Sequence, residues 1–305
     1  MTTILITGGS GTVGTSLIQQ LRKKDVALRI LSRSKEEIPA ATVFTWDVNE
    51  GQLEEGALDN VDHIIHLAGA NVSQRWTAVQ RKKIRDSRIK SADLLFEKLG
   101  DRKLKSFISA SGISIYGTRT SEHIFTESDS PDYYDNDFLA QVSVDWEKAA
   151  DQFTSRAERV VKIRTPIVLS RTEGALEKMA KPIKMGLGAP LGSGKQYTPW
   201  VHIDDLCKAY IKAVEDEQMN GIYNVVAPEH LTNKQLTQAI ARVLNKKLWL
   251  PNVPAFMLKL IYGKMAEIVL KGSRASGEKI TDLGFEYDYK VVEQALKDLL
   301  TINNQ

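Results

Sequence analysis

Three glycines near the N-terminus are spaced for chemistry. Gly8-x-x-Gly11-x-x-Gly14 follows an apolar, β-branched run at residues 3–7 and precedes a helical stretch at 15–24. A strand, a glycine-rich turn and a helix in that order can cradle a phosphate. One glycine permits the sharp turn, one lets a pyrophosphate approach the backbone, and one lets the helix pack closely on the strand. The helix start then offers unpaired N–H groups and a partial positive charge to the phosphates. The candidate contacts are Gly8, Ser10, Gly11, Thr12, Val13 and Gly14. An ordinary glycine-rich turn is the alternative, and placement between a strand and a helix argues against it.

The end of the second apolar run indicates which dinucleotide fits. A preference for NAD normally shows as an acid that bonds the ribose hydroxyls. Here the run ends Leu31-Ser32-Arg33-Ser34, with no acid. Arg33 can pair with a 2′-phosphate and Ser32 can donate to it, which favours NADP(H). The alternative for Arg33 is a solvated surface side chain. Asp47, after a third run at 42–46, can accept from an adenine amino group or close a turn. His66-Leu67-Ala68-Gly69-Ala70 ends a fourth run in small residues that leave room for a cofactor, so Leu67, Ala68 and Gly69 join the candidates. A basic helix at 76–99 is mostly a solvated face. Its Arg88 is singled out as a contact to phosphate or the nicotinamide side. Ser109 and Val168, near the ends of later strands, complete the cofactor set.

These residues need a scaffold that brings strand ends together. Strands at 3–7, 27–32, 42–46, 61–67, 105–111 and 160–169 alternate with helices, including one at 138–153. The alternation predicts a doubly wound parallel sheet with helices on both faces. Ligands on such a sheet bind beyond the carboxyl ends of the strands, near the switch in strand order. A Gly- and Pro-rich loop at 186–198 and a mainly helical segment from Leu231 indicate two parts. These are a cofactor-binding domain over 1–230 and a small substrate-side domain over 231–305, with interleaved segments.

Bulk composition narrows the function. The chain has 305 residues, and its 41 basic against 38 acidic residues give a net charge too small to indicate nucleic acid. A single cysteine, Cys207, excludes an intramolecular disulfide framework and suits a cytoplasmic protein. The N-terminal run is read as a strand, not a secretion signal, and no apolar run reaches the ~18 residues of a membrane span. The expected partner is a small-molecule substrate, with no nucleic acid and no membrane, and a homodimer is compatible. The five histidines show no metal-ligand spacing, so no metal is expected.

The motifs resemble those of the extended short-chain dehydrogenase/reductases, the NAD(P)-dependent sugar-nucleotide epimerases and dehydratases. The matching pieces are Thr7-Gly8-x-x-Gly11-x-x-Gly14, His66-Leu67-Ala68, Ser109-Ala110-Ser111 with Tyr116-Gly117, and Val201-His202-Ile203-Asp204-Asp205. More narrowly, the chain is similar to the atypical "epimerase family" subgroup. That likeness rests on Arg75-Trp76-Thr77, Asp86-Ser87-Arg88-Ile89, Trp146-Glu147, Trp200-Val201-His202 and further pieces from Ile4 to about Tyr289. The resemblance implies a Rossmann-type domain, a small C-terminal domain of unassigned function, and NADP(H).

It also exposes a departure. The wider family uses Tyr-x-x-x-Lys, with Tyr as general acid/base and Lys lowering its pKa. Alignment on Trp146-Glu147 places Leu139 at the Tyr position and Ser143 at the Lys position. Leucine cannot move a proton and serine carries no charge. Ser111 (or, second, Ser109) is the surviving triad member. Tyr116, Tyr133 or Tyr134 could substitute, each with packing under a loop as the alternative. Asn71, Arg75, Trp200 and His202 are the candidate substrate contacts, and His202 can instead bond backbone. The expected activity is NADP(H)-dependent oxidoreductase or epimerase chemistry on a small polar, sugar-like substrate. The alternative is a non-catalytic NADP(H)-binding sensor or partner-binding protein.

Overall fold

The computed structural model describes residues 1–117, 120, 122–129, 137–172 and 174–301. The first half runs β1 (Thr2–Thr7), α1 (Thr12–Leu21), β2 (Val26–Ser32), β3 (Thr42–Asp47), β4 (Gln52–Leu53), β5 (His63–His66), α2 (Ala78–Leu99) and β6 (Leu104–Gly112). Then come β7 (Ile124–Phe125), α3 (Phe138–Asp151), β8 (Ala157–Thr165), β9 (Ile167–Leu169), α4 (Ala175–Lys184), β10 (Trp200–His202), α5 (Ile203–Glu215) and β11 (Gly221–Asn224). The C-terminal part adds α6 (Asn233–Val243), α7 (Ala255–Tyr262), α8 (Glu267–Leu270), β12 (Arg274–Ala275), α9 (Glu278–Asp282) and α10 (Val292–Leu300).

Eight strands form one sheet in the order β11-β8-β6-β5-β1-β2-β3-β4. All neighbours are parallel except β4, which is antiparallel to β3. The chain winds outward from β1 to β3, then returns to place β5 on the other side of β1. The strand order therefore reverses between β1 and β5, where Thr7 lies in register with His66. This is the Rossmann-type arrangement, and a crevice at such a reversal is where ligands bind.

Period-two alternation divides the core. Along β1, Ile4 and Ile6 pack on one face with Leu17 of α1 and Leu206 of α5, while Leu5 packs on the other with Leu95 of α2 and Phe153. Phe153 stacks on Phe107 of β6 with ring centroids 3.5 Å apart. The first of these clusters continues through Ile240 to Leu296, so the C-terminal helices close the same apolar core.

Several element boundaries shift by one to three residues from the sequence reading, and two differences bear on the site. The strand expected over 160–169 is two strands, because Pro166 between them has no N–H to give a ladder. β8 stays in the main sheet, and β9 leaves it to pair with β10. The first helix begins at Thr12, with Gly11 as its N-cap, three residues before the expected start.

A buried ion pair ties α3 to the sheet. Arg164 of β8 donates to both carboxylate oxygens of Glu147, from Nε at 2.7 Å and Nη2 at 2.9 Å. Both side chains are almost fully buried. Removing one partner of such a pair leaves an uncompensated charge in the interior. Glu147→Leu is accordingly expected to cost about 3–5 kcal/mol in urea unfolding. An unchanged midpoint would mean that the pair does not anchor α3.

Candidate functional site

The glycine turn shows what each glycine does. Gly8 has φ +71°, and a Cβ there would lie 2.9 Å from the Leu67 carbonyl group. The turn and the end of β5 are therefore in contact. A Cβ on Gly14 would come within 2.3 Å of the Gly8 oxygen, so helix and turn approach too closely for any side chain. Gly9 is a further requirement that the motif reading passed over: a Cβ there would strike Ile30 of β2 at 2.7 Å. Gly11 differs. Its nearest obstacle to a Cβ is the Gly8 oxygen at 3.4 Å, an ordinary contact. Protein packing does not demand a glycine at 11, whereas a ligand pressed against that backbone would. Gly11 caps α1 without a side-chain acceptor, and the first turn contains no acid. The amides of Thr12, Val13 and Gly14 stand at an open, electropositive helix start.

A hydrogen-bonded relay fixes the other wall. Thr7 Oγ1 accepts from the amides of Leu67 and Ala68, both at 3.1 Å, and lies 2.9 Å from Nδ1 of His66. His66 Nε2 is 3.1 Å from Ser91 Oγ, which donates to the Ser87 carbonyl on α2 at 2.6 Å. With its lone pairs taken by amides, Thr7 donates to Nδ1, and the pattern assigns the imidazole proton to Nε2. This holds the β5 exit against β1 at the strand reversal. Burial pushes the His66 pKa down to about 4.

Arg88 of α2 sits beneath the same turn. Its Nη1 donates to the carbonyls of Ile84 and Ala70, and its guanidinium lies 4.7 Å from the centre of the Trp146 ring. A Cβ on Gly69 would be 3.0 Å from its Cζ, which explains that glycine. Among the described residues Arg88 has no carboxylate partner. Burial lowers its pKa only to about 10, so it is a cation at neutral pH. Gly8, Leu67, Ala68, Gly69 and Arg88 thus converge.

The remaining cofactor candidates line the neighbouring strand ends. Ser32 is half-buried and its Oγ accepts from the Ser34 amide. Arg33 is exposed beyond β2 and has no hydrogen-bond or ionic partner among the described residues. Asp47 Oδ1 closes a turn by accepting from the amides of Asn49 and Glu50. Val168 is half-buried in β9 against the core.

Several of the expected catalytic and substrate residues are buried in contacts within the protein, while Asn71 and Arg75 are exposed. Tyr116 is fully buried. Its hydroxyl accepts from Arg164 at 2.7 Å and lies 2.9 Å from the Thr126 carbonyl and from Asn224 Oδ1. Burial raises its pKa, and its hydroxyl is enclosed by these three partners. Ser111 is 3% exposed and donates to Glu147 Oε1 at 2.7 Å, which removes it from the open cleft. Ser109 is buried inside β6. Trp200 is buried, with its indole N–H on the Glu229 carbonyl. His202 is buried too; it caps α5 by accepting from the Asp204 amide and stacks on Tyr289 at 3.7 Å. Asn71 is exposed and uses Oδ1 to close a turn onto Ser73. Arg75 is exposed in the loop after β5. Tyr133 and Tyr134 lie outside the described residues.

The sequence reading missed Ser114. Its Oγ is 2.8 Å from Oγ of Ser143, at the family's Lys position. Leu139, one turn earlier on α3, is half-buried. Ser114 lies in the short 3₁₀ turn after β6, and its distance from Ser143 in the chain hides the pairing. A cavity of about 480 Å³ lined by Thr2, Lys24, His63 and Arg159 opens at the other ends of the strands, away from this crevice.

A parallel sheet with a glycine turn at its strand reversal defines a dinucleotide-binding α/β protein. The profile of the NAD dependent epimerase/dehydratase family matches residues 4–226, and the chain belongs to that family. A domain of unknown function, DUF1731, matches residues 253–299. The epimerase family protein SDR39U1 homolog, chloroplastic, of Arabidopsis thaliana is 34% identical over 98% of this chain and 86% of its own length. Epimerase family protein SH2119 of Staphylococcus haemolyticus is 32% identical over 98% of this chain and 99% of its own. The crystal structure of human epimerase family protein SDR39U1 (isoform 2) with NADPH matches with a TM-score of 0.85 at 27% identity. That match covers 97% of this chain and 98% of the human chain.

Two outcomes follow from the geometry. His66 binds a proton below about 6.5 in the unfolded chain but only below about 4 when folded, so stability is lost as pH falls between those values. The loss is about 3 kcal/mol. His63, also lowered to about 4, titrates in the same window. His202 and His230, lowered by burial as well, also contribute, so His66→Gln is expected to remove a part of the pH slope of urea stability, and an unchanged slope would contradict the relay. Gly14→Ala is expected to lower stability by about 1–3 kcal/mol. Gly11→Ala should leave the thermal midpoint almost unchanged while weakening nucleotide binding; a drop in its midpoint matching that of Gly14→Ala would show that Gly11 serves packing.

Proposed function

We propose that the protein is an NADP(H)-dependent oxidoreductase or epimerase-like enzyme acting on a small polar, sugar-like substrate. The observation that carries the reading is the open start of α1, where Gly11 is the one turn glycine not required by packing among Gly8, Gly9, Gly11 and Gly14. The human relative described with NADPH supports the choice of cofactor. In this reading the amides of Thr12, Val13 and Gly14 hold the pyrophosphate, Arg88 adds positive charge beneath the turn, and Arg33 pairs with the 2′-phosphate. A bound nicotinamide supplies hydride chemistry at a carbinol or carbonyl carbon.

The chain's own part in that chemistry is a hydrogen bond. With Ser111 committed to Glu147, the half-buried Ser114 supplies the hydroxyl for the substrate oxygen, its Oγ held 2.8 Å from that of the buried Ser143. Neither hydroxyl acts as a strong acid, so the proton reaches that oxygen through water. Leu139 and Ser143 favour a second reading, in which the site binds NADP(H) without turnover. Oxidation of bound NADPH by a panel of carbonyl compounds separates the two.

The cofactor reading is tested by calorimetric titration with NADPH and NADH. Arg33→Ala is expected to weaken NADPH binding by about 1–3 kcal/mol and leave NADH nearly unaffected. Equal loss for both would remove Arg33 from the 2′-phosphate, and failure of both nucleotides to bind the unaltered protein would overturn the proposal.

A further inference from the structure

The C-terminal part carries an apolar surface that the nucleotide site does not use. In α7, Phe256 is 71% exposed and Leu260 80%, and Met257 and Ile261 are also exposed. Only Leu258 of this helix is buried. Spacings of one, four and five residues put the four exposed side chains within an arc of about 140°. Trp249, 70% exposed, and Leu187, 54% exposed, belong to the same part of the surface. The Trp249 indole donates to the Gly186 carbonyl at 2.9 Å. The 186–194 loop and the chain leading into α7 are further joined by Gly192 N to Val253 O and Val253 N to Pro190 O, each 2.9 Å. A patch of large exposed apolar side chains on an otherwise ordinary surface marks an interaction site.

Charge selects the partner. The segments 178–199 and 245–266, which form this surface, hold four lysines each and no Asp or Glu. The whole chain has 41 basic and 38 acidic residues, so its small positive excess is concentrated here. None of these eight lysines makes an ion pair among the described residues. Lys184, Lys246, Lys247, Lys259 and Lys264 are all exposed beside the apolar side chains. A symmetric contact with a second copy would set lysine against lysine, which disfavours self-association. A helix with exposed Phe and Leu, a neighbouring Trp and a rim of Lys suits the boundary between lipid headgroups and acyl chains.

We propose that α7, with Trp249 and Leu187, docks on the surface of an anionic lipid bilayer. No helix among the described residues is long and apolar enough to cross a membrane, and a surface-bound helix has no need to be. The proposal replaces the expectation that no membrane partner exists, which rested on the absence of a spanning run. It is independent of the nucleotide reading. A Cβ on Gly263, at the end of α7, would lie 3.6 Å from Arg75 Nε, so the docking face adjoins the loop after β5.

The test is sedimentation of the full chain with phosphatidylcholine vesicles, with and without phosphatidylglycerol, at low and high salt. Binding to the anionic vesicles, weakened by salt and nearly absent with neutral ones, is the expected result. Phe256→Ser with Leu260→Ser should abolish it. Lys246→Gln with Lys247→Gln should weaken it about fivefold for each lysine replaced. Both variants change exposed residues, and unaltered thermal midpoints and NADPH binding would show that they fold. Failure to bind anionic vesicles would overturn the proposal. So would a concentration-dependent dimer in light scattering that the Phe256 and Leu260 substitutions abolish, since the face would then be covered by a second copy.

Discussion

How closely α1 can approach the turn leaving β1 determines the rest of the site. A Cβ at Gly14 would fall 2.3 Å from the Gly8 oxygen, so the helix sits against the turn only because that atom is missing. The approach points the open end of α1 across the strand reversal. It also seats Gly8 on the Leu67 carbonyl, joining the two halves of the sheet where a dinucleotide would cross between them. The relay of Thr7, His66 and Ser91 holds the second half in place, using a neutral imidazole in an interior that would penalise a charged one.

The two residues expected to take part in catalysis, Ser111 and Tyr116, are both held in buried hydrogen bonds. Ser111, Glu147, Arg164 and Tyr116 form one buried, interconnected cluster that fixes α3 and β8 together. Among the described residues the groups left as candidates are milder: the half-buried Ser114 hydroxyl beside the buried Ser143, the half-buried Leu139 and the Arg88 cation. Such a set can hold and orient a substrate, but among the described residues it provides no acid of matched pKa.

Local signals made much of this legible in the sequence. The parallel sheet, the glycine turn and the small residues at 67–70 each follow from short-range patterns, and the structure places them together. The split of the 160–169 strand was legible in principle, since Pro166 stands in plain view. The partners of Tyr116 and Trp200 were not, because they come from distant segments, Asn224 and Glu229; for His202 the backbone bond, to the Asp204 amide, was legible, while its stacking on Tyr289 was not. For the same reason the Ser114–Ser143 pair, separated by 29 positions, emerges only when α3 packs on β6. The exposed face of α7 was hidden differently. Its apolar residues look like core in a one-dimensional reading, and only the fold shows that none of the described residues covers them.

The central claim is that a dinucleotide lies across the reversal between β1 and β5. Amide hydrogen exchange followed by mass spectrometry, with and without NADPH, tests it most directly. The open amides at the start of α1 should exchange fast in the free protein and slow on adding NADPH, together with peptides covering 67–70. Peptides at the opposite ends of the strands should not change. Protection confined to those opposite ends, or absent altogether under saturating NADPH, would contradict the account.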